Sequence, residues 1–293
     1  TIIGKEPYPN YNRIMLSNIL QKKMTVEDTI MNPYDWYQEN NIELINNDPV
    51  EKVDKENKIV TTSKGIEVEY DICIFATGSK AFVLPIPGSN LPSVIGWRTI
   101  DDTNKMIEIA QTKKRAVVIG GGLLGLECAR GLLDQGMEVT VLHLADWLME
   151  MQLDRKAGEM LKADLEKQGM KIELQANSKE IIGDKDVEAI KLADGRVIET
   201  DLVVMAVGIR PYTEVAKDSG LDVNRGIVVN DYMQTSDSHI YAVGECAEHD
   251  GKVYGLVAPL YEQGKVLADY LTGKETKGYK GSTTFTSIKV SGC

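Results

Sequence analysis

The sequence predicts an α/β fold with parallel central sheets and a small antiparallel insert. Strand-like and helix-like segments alternate strictly between residues 115 and 174, the order of repeated strand–helix–strand units. Continuous apolar segments at 72–76 and 202–207 are typical of strands that are covered on both sides. A glycine-rich turn joins one strand to the helix that follows it. These three features together predict parallel sheets.

Size and charge limit the classes of protein to consider. The 293 residues suffice for about two domains. Hydrophobic residues make up 43% of the chain, and no apolar run is long enough to span a bilayer, which excludes a membrane protein. Acidic side chains outnumber basic ones by 44 to 33 and give a formal charge of -11, so nucleic acid is a poor partner.

The cysteines indicate a reducing, cytoplasmic setting. Cys73, Cys128, Cys246 and Cys293 are widely separated, form no CxxC motif and follow no secretory signal. We interpret Cys73 and Cys128 as small core residues. Cys246, beside Glu245, is either a site contact or a packing residue. The three histidines have no ligand spacing, so we expect no metal site.

The first part of the chain predicts strands around one short helix. Residues 1–4 have the pattern of a buried strand, and since a globular domain seldom begins on a core strand, we expect a further segment before it. Beyond it the pattern predicts a helix at 33–40, a hairpin joining 58–60 to 66–68, and the apolar strand at 72–76. A proline-rich connection at 85–92 then predicts a domain boundary near Gly96.

The rest of the chain alternates between strands and helices. The predicted order is strand 116–119, helix 123–135, strand 137–142, helix 155–168, strand 171–174, an antiparallel insert at 188–192 and 196–199, strands 202–207, 227–229 and 240–245, and a helix at 259–271. The tail at 282–292 has the pattern of a single strand. This order predicts a parallel sheet interrupted by the insert.

The glycine turn has the spacing of a dinucleotide-binding fingerprint. Gly120, Gly122 and Gly125 fall between a predicted strand and a predicted helix that Leu123 and Leu124 open. In this frame the first glycine permits the tight turn, the second lets the backbone approach a pyrophosphate, and the third allows the helix to pack closely on the strand. The motif therefore predicts a nicotinamide dinucleotide site, and a glycine turn without a ligand is the alternative.

His143 takes the place where NAD-specific sites usually carry an acid, about 20 residues after the glycine turn. A histidine does not repel a 2′-phosphate and can pair with it when protonated, so NADPH would be accepted alongside NADH. The alternative is that His143 only caps the end of the strand and contacts no ligand. Asp146 and Glu150 lie further along and are alternative ribose partners.

Four sequence stretches carry a family resemblance. TGS at 77–79, GGGLLG at 120–125, AVGIRP at 206–211 and IYAVGECA at 240–247 occur in the order found in FAD-dependent pyridine nucleotide-disulfide oxidoreductases. The resemblance covers nearly the whole chain. Within that family, NYNRIMLS at 10–17, VLHL at 141–144 and VAPLYEQ at 257–263 are most similar to the N-terminal flavin module of the large subunit of NAD(P)H-dependent nitrite reductases.

The resemblance implies an FAD site in two interleaved Rossmann-like units. Glu6, which ends the predicted opening strand, would bind the adenosine ribose, a role its position also favours. The remaining implied FAD contacts are Arg13 and Ser17 along the flavin, Thr77 and Gly78 at the flavin nucleotide, Gly244 and Glu245 at the ribityl and pyrophosphate region, and Pro259 in the helix that faces the isoalloxazine. Family chains carry a glycine-rich FAD turn before the position of Glu6, and these 293 residues do not include it.

The implied NAD(P)H site uses the glycine turn and His143, with Glu127 near the nicotinamide and Gly208 closing over it. An FAD-binding domain at 1–96 and 227–275 would enclose an NAD(P)H-binding domain at 97–226, and 276–293 would begin a C-terminal domain. Hydride would pass from NAD(P)H to FAD and electrons onward to an iron-sulfur and sirohaem centre in parts of the family chain that lie outside these residues. The cofactors do this chemistry, so we assign no catalytic side chain.

Two other functions are open. One is a stand-alone NAD(P)H-rubredoxin or ferredoxin reductase with a small redox protein as acceptor, although the negative charge disfavours it because such acceptors are usually acidic too. The other is a regulatory module that binds the nucleotide without turnover. A homodimer is a candidate assembly for each of these functions.

Overall fold

Helices and strands alternate through most of the chain in the computed structural model, which describes residues 1–284 and 287–290. The helices are Leu16–Leu20 (α1), Tyr34–Glu39 (α2), Ile100–Thr112 (α3), Leu123–Asp134 (α4), Arg155–Lys167 (α5), Glu214–Asp218 (α6) and Val257–Leu271 (α7). The strands are Ile2–Ile3 (β1), Leu44–Ile45 (β2), Val50–Asp54 (β3), Ile59–Thr62 (β4), Glu67–Glu69 (β5), Cys73–Phe75 (β6), Ser79–Ala81 (β7), Val94–Gly96 (β8), Arg115–Ile119 (β9), Glu138–Leu142 (β10), Lys171–Glu173 (β11), Ser178–Ile182 (β12), Ala189–Leu192 (β13), Val197–Glu199 (β14), Leu202–Met205 (β15), Ile209–Pro211 (β16), Ile227–Val229 (β17), Ile240–Ala242 (β18), Ala247–His249 (β19) and Lys252–Val253 (β20).

The chain forms two units, each from separate stretches of sequence. The first unit comprises Thr1–Tyr11, Met31–Lys80 and Ile209–Thr286, and the second comprises Asn12–Ile30, Ala81–Gly208 and Ser287–Cys293. The chain therefore changes unit at 11/12, 30/31, 80/81, 208/209 and 286/287. The sequence suggested boundaries at 96/97, 226/227 and 275/276. Which unit takes which cofactor stays a prediction. Residues 285–286 and 291–293 of the expected C-terminal domain, with Cys293, lie outside the described residues.

A parallel five-stranded sheet forms the centre of the second unit. Its strand order is β11-β10-β9-β15-β8, and every pairing in it is parallel. Strand β15 is buried along its whole length, and so is β9 after its first residue. This burial explains why both strands have uninterrupted apolar sequences rather than alternating ones. The predicted parallel sheet is confirmed.

An antiparallel sheet of order β12-β13-β14 is attached to the second unit. The strands β13 and β14 are the predicted insert, and Gly195 takes the positive φ of 93° in the turn that joins them. Sequence reasoning missed the third strand, β12. Its Ile181 packs with Ile190 and Leu192 of β13 and with Val203 of the parallel sheet in one buried cluster.

The first unit contains small parallel pairs and antiparallel meanders. β1 pairs with β2 and β6 pairs with β18, both in parallel, while β3-β4-β5 is antiparallel. The expectation that β6 is covered on both sides is wrong, since Ile74 is 46% exposed and Cys73 is half-buried. Among the described residues β6 hydrogen-bonds only with β18.

Candidate functional site

The glycine turn in the second unit leaves no room for side chains at two of its three motif positions. Gly120 has a φ of 118°, and a Cβ atom there would lie 2.4 Å from the carbonyl oxygen of Ala206. A Cβ atom on Gly125 would lie 1.9 Å from the carbonyl oxygen of Gly120. A Cβ atom on Gly122 would meet no atom within 4 Å. The turn therefore packs closely on its protein side and is open at Gly122, as a pyrophosphate site requires.

The amino terminus of α4 faces this opening. The helix starts at Leu123, and its capping residue Gly122 offers no side-chain acceptor to the backbone N–H groups of the first turn. Unpaired N–H groups and the helix dipole both favour an anion at this end. Leu124 is 40% exposed beside them. The turn and the helix together fit the pyrophosphate of a nicotinamide dinucleotide.

His143 lies at the end of β10, as predicted, but its ring faces the protein. The ring Nδ1 accepts the N–H of Gly121 at 3.1 Å, and Nε2 lies 2.9 Å from the carbonyl oxygen of Trp147. Nε2 is also 3.0 Å from Oε2 of Glu150. With both nitrogens occupied and only 6% of the residue exposed, His143 supports the glycine turn.

Asp146 and Glu150, the alternative ribose partners, lie on the segment after β10. Hydrogen bonds from Gln175 at 2.9 Å and Arg155 at 2.8 Å lower the pKa of Asp146 and keep its carboxyl group ionised. The side chain of Glu150 is 35% exposed. The end of β10 therefore presents carboxylates, although the residue directly after the strand is a histidine.

Glu127 is a buried carboxylate on α4. Only 4% of it is exposed, and its Oε1 accepts the backbone N–H of Lys289 at 3.1 Å. The ammonium group of Lys289 lies 3.7 Å from Oε2 of Glu127 and donates to the carbonyl oxygen of Ile14 at 2.7 Å. Sequence reasoning missed this contact with residues 287–290, because the two partners are 162 positions apart. Gly208, also in this unit, has a φ of 112° and open space at its Cβ position.

The predicted FAD residues of the first unit converge after β6 and β18. Thr77 donates its hydroxyl to the carbonyl oxygen of Tyr212 at 2.8 Å, and the next carbonyl, of Gly78, accepts the N–H of Tyr212 at 2.9 Å. The hydroxyl of Ser79 donates to Glu245 at 2.7 Å. Gly78 has a φ of 66°, with open space at its Cβ position. A backbone of this kind admits the close approach of a ligand.

Gln263 is a residue of this group that sequence reasoning missed. It is fully buried on α7, and its Oε1 accepts the N–H of Gly244 at 2.9 Å. Its Nε2 is buried without a hydrogen-bond partner, and Gly244 has a φ of 88° with open space at its Cβ position. An unpaired buried donor beside an open glycine fits a polar ligand such as FAD. Pro259 lies one turn earlier, near the start of α7, and is buried.

The carboxyl group of Glu6 accepts a hydrogen bond from a tyrosine. The hydroxyl of Tyr11 donates to Oε2 of Glu6 at 2.5 Å, and Glu6 lies three residues beyond β1 rather than on its last position. Arg13 and Ser17, the other predicted flavin contacts, belong to the second unit. Arg13 donates to the carbonyl oxygen of Arg98 at 2.7 Å, and Ser17 is buried in α1.

The described cysteines are unpaired and poorly suited to redox chemistry. Burial raises the pKa of Cys73 to about 11 and also raises the pKa of Cys128 and Cys246. Cys246 is fully buried, and its thiol donates to the carbonyl oxygens of Phe75 and Val243, so it is a packing residue. Within 1–284 and 287–290 no cluster of three or more His, Cys, Asp or Glu side chains could hold a metal ion. Among the helices described, none combines the length and apolar character needed to cross a membrane.

Comparisons with known proteins place this geometry in a family. The family model described as pyridine nucleotide-disulphide oxidoreductase matches residues 1–264. The chain is 58% identical over 292 residues to nitrite reductase [NAD(P)H] of Bacillus subtilis (strain 168), and the alignment covers 100% of this chain and 36% of that protein. It is 45% identical to the assimilatory nitrate reductase electron transfer subunit of the same organism, over 99% of this chain and 38% of the relative.

A solved structure agrees with both sequence comparisons. NADH:rubredoxin oxidoreductase from Clostridium acetobutylicum superposes with a TM-score of 0.85 at 32% identity, covering 99% of this chain and 72% of that one. The chain spans little more than a third of the two Bacillus relatives. The family model matches residues 1–264, and the glycine turn and the open glycines of the first unit agree with it. The predicted fold, oxidoreductase class and cofactors are therefore confirmed. The chain belongs to the pyridine nucleotide-disulphide oxidoreductase family, whose members use FAD and NAD(P)H.

Proposed function

We propose that this chain is the flavin module of an assimilatory nitrite reductase, which takes a hydride from NAD(P)H and passes electrons to an iron-sulfur and sirohaem centre. The observation that carries the proposal is the identity of 58% over 292 residues to a nitrite reductase, in a chain that retains an open glycine turn. The electron acceptor belongs to a part of the enzyme outside this chain. FAD, when bound, supplies the hydride acceptor.

The two nucleotides are held by different sets of residues. In the second unit the turn from Gly120 to Gly125 and the start of α4 bind the pyrophosphate of NAD(P)H, with Glu127 near the nicotinamide. In the first unit the FAD contacts are Glu6 at the ribose, Gly78 at the flavin nucleotide, and Gln263 with Gly244 at the ribityl and pyrophosphate region. These assignments make the first unit the FAD domain and the second the NAD(P)H domain.

The chain's own residues bind and orient the cofactors. Hydride transfer between two bound cofactors needs position and the exclusion of water, so no side chain has to act as an acid or a base. The described thiols are unpaired, with Cys128 and Cys246 buried and Cys73 half-buried, which supports a route without a cysteine relay. Unpaired thiols also support the reducing, cytoplasmic setting that we propose for this module.

A second candidate is a rubredoxin or ferredoxin reductase that works with a separate small redox protein. The superposition with NADH:rubredoxin oxidoreductase at a TM-score of 0.85 favours it, because that structure aligns over 99% of this chain. The higher identity to the nitrite reductase ranks this function second.

An absorption spectrum tests the proposed function. The chain is incubated with FAD, desalted, and then mixed with NADH in the absence of oxygen. We expect a retained flavin spectrum that bleaches on reduction, followed by electron transfer to an artificial acceptor. A retained spectrum that does not bleach would contradict the oxidoreductase and would favour a regulatory module.

The acceptor is tested separately. The same chain is assayed for NADH-dependent reduction of rubredoxin and of a ferredoxin, and the full-length parent protein is assayed for NADH-dependent nitrite reduction. Nitrite reduction by the parent protein, with slow turnover of both small proteins, supports the first candidate. Fast rubredoxin reduction together with no nitrite reduction would replace it by the second.

A further inference from the structure

The adenosine ribose of a dinucleotide lies beside the end of the second strand of its unit, close to the glycine turn. In this chain that place is the end of β10 and the segment 143–150. The ribose carries a 2′-hydroxyl in NADH and a 2′-phosphate in NADPH, so the charges on this segment decide between the two nucleotides.

The ring of His143 is committed to the glycine turn. Because Nδ1 accepts the N–H of Gly121 at 3.1 Å, that nitrogen carries no proton and the proton of the neutral ring is on Nε2. Nε2–H points towards the carbonyl oxygen of Trp147 at 2.9 Å and Oε2 of Glu150 at 3.0 Å. A Cβ atom on Gly121 would lie 2.7 Å from Cγ of His143, so turn and ring are in close contact. His143 is therefore a positioning residue for the turn.

The carboxylate of Glu150 lies on the far side of the His143 ring from the glycine turn. Its side chain is 35% exposed, whereas His143 is only 6% exposed. The backbone N–H of Met149, its neighbour, donates to the carbonyl oxygen of Gly121 at 3.1 Å, which fixes this part of the segment against the turn. Glu150 thus brings an acid to the end of β10 from seven residues further along the chain.

The other acidic side chain of this segment, Asp146, already has a basic partner, Arg155. Arg155 lies 2.8 Å from Asp146 and 3.7 Å from Glu159, and its guanidinium carbon lies over the ring of Trp147, 4.9 Å from the ring centre. Two carboxylates therefore compete for the arginine that a 2′-phosphate would need. A phosphate with a charge close to -2 would approach the acidic side chains of Asp146 and Glu150, which is unfavourable.

We propose that Glu150 is the acid that recognises the adenosine ribose, and that through it the site prefers NADH to NADPH. The inference rests on the proposed NAD(P)H site and names the nucleotide that this site takes. It replaces the expectation that His143 pairs with a 2′-phosphate. His143 holds the turn, and Glu150 selects the nucleotide.

Direct binding of the oxidised nucleotides tests the proposal without turnover. NAD⁺ and NADP⁺ are titrated by calorimetry into the FAD-loaded chain and into the variants Glu150→Gln, Glu138→Gln and His143→Ala. We expect the wild type to bind NAD⁺ at least about tenfold more tightly than NADP⁺. Glu150→Gln should reduce this preference by about fivefold or more. Glu138, at the opposite end of β10, is the matched control and should leave the preference unchanged.

The variant His143→Ala separates the positioning of the turn by His143 from the selection of the nucleotide by Glu150. Loss of the acceptor for the N–H of Gly121 should weaken the binding of both nucleotides by a similar factor and leave the preference for NAD⁺ over NADP⁺ unchanged. Circular dichroism checks that the variant folds. Equal binding of NAD⁺ and NADP⁺ to the wild type would overturn the assignment of Glu150. A preference that changes in His143→Ala but not in Glu150→Gln would overturn it in favour of His143. If the wild type binds neither nucleotide, the NAD(P)H site itself fails, and with it the proposed function.

Discussion

Gly125 has less room for a side chain than the other glycines of the turn. A methyl group there would lie 1.9 Å from the carbonyl oxygen of Gly120, so Gly125→Ala must push α4 away from the turn. We expect NAD⁺ affinity to fall at least about tenfold and the free energy of unfolding to fall by about 1–3 kcal/mol. Calorimetric titration and thermal denaturation measure the two effects.

Gly264→Ala is the control for this substitution. Its Cβ atom would meet nothing within 4 Å, and it lies inside α7, where alanine is the better helix former. This variant should unfold at the same temperature as the wild type or slightly higher and bind NAD⁺ equally well. Unchanged NAD⁺ affinity in Gly125→Ala would show that the turn does not hold the pyrophosphate.

Gln263 supports the FAD contacts through one hydrogen bond. In Gln263→Leu the N–H of Gly244 loses its acceptor and the donor Nε2 disappears. A lost partner in a buried place costs about 1–3 kcal/mol, so we expect FAD to bind about tenfold more weakly. Quenching of flavin fluorescence on binding gives the dissociation constant, with Gln234→Leu at an exposed hydrogen bond of the same unit as the control. Equal FAD affinities in the two variants would contradict the role of Gln263.

Cys73 should react slowly with alkylating reagents in the folded protein. Burial raises its pKa from 9.0 to about 11, and only the thiolate reacts, so at pH 8 the reactive fraction is about a hundredfold below that of an ordinary thiol. The rate should keep rising with pH up to about 11. Timed reaction with iodoacetamide, followed by mass spectrometry of the peptide 65–80, measures it against urea-unfolded protein. A plateau near pH 9 in the folded protein would contradict the raised pKa.

The sequence signal of helix α3 is a capping box at its amino-terminal end. Thr99 accepts the N–H of Asp102 at 3.1 Å, and Asp102 accepts the N–H of Thr99 at 2.8 Å, which forms a capping box. We expect Thr99→Ala to lower the free energy of unfolding by about 0.5–2 kcal/mol. Urea denaturation measures this, and Thr112→Ala at the exposed end of α3 should have little effect. Equal midpoints for both variants would mean that the cap does not stabilise the fold.

Sequence patterns predict the elements that are buried on both faces and miss those with little apolar surface. β9 and β15 are almost fully buried, so their apolar runs are unambiguous. Helix α3 buries only Ile100, Thr103 and Met106, which leaves a weak helical pattern and the capping box as its signal. The three-residue β6 was predicted as a strand, but its apolar sequence does not reveal that Ile74 is 46% exposed among the described residues.

The candidate site likewise contains residues that the sequence predicts and contacts that it does not. The glycine turn is encoded locally, so its residues and their roles follow from spacing alone. The contacts that surround it join distant positions: Gly121 to His143 over 22 residues and Glu127 to Lys289 over 162. Spacing places a histidine at the end of β10, but only the fold shows that its ring faces the turn and that Glu150 lies behind it.

The two-unit division is a property of the whole molecule, because each unit is assembled from separate stretches of the chain. Residues 12–30 belong to the second unit although the residues on both sides of them belong to the first. No local pattern marks these transfers. In the second unit, α1 contacts α4, so the early segment contributes to the surroundings of the NAD(P)H helix.

The segment 287–290 completes the second unit in a similar way, and its removal provides a test. Lys289 supplies a backbone N–H and an ammonium group to the buried Glu127, its carbonyl oxygen accepts from Gln21 at 3.1 Å, and Val290 is buried. Truncation after Thr286 should therefore lower the free energy of unfolding by about 2 kcal/mol or more, because a buried carboxylate loses its partners.

A double-mutant cycle isolates the interaction with Glu127 from the loss of apolar contacts. Urea denaturation followed by tryptophan fluorescence compares the wild type, the truncated chain, Glu127→Gln and the combination, and Trp97 and Trp147 report on the second unit. A neutral amide needs no cation, so truncation should destabilise the Glu127→Gln variant by at least about 1 kcal/mol less than it destabilises the wild type. Equal destabilisation in both backgrounds would show that residues 287–290 stabilise the unit by packing alone and that Lys289 does not neutralise Glu127.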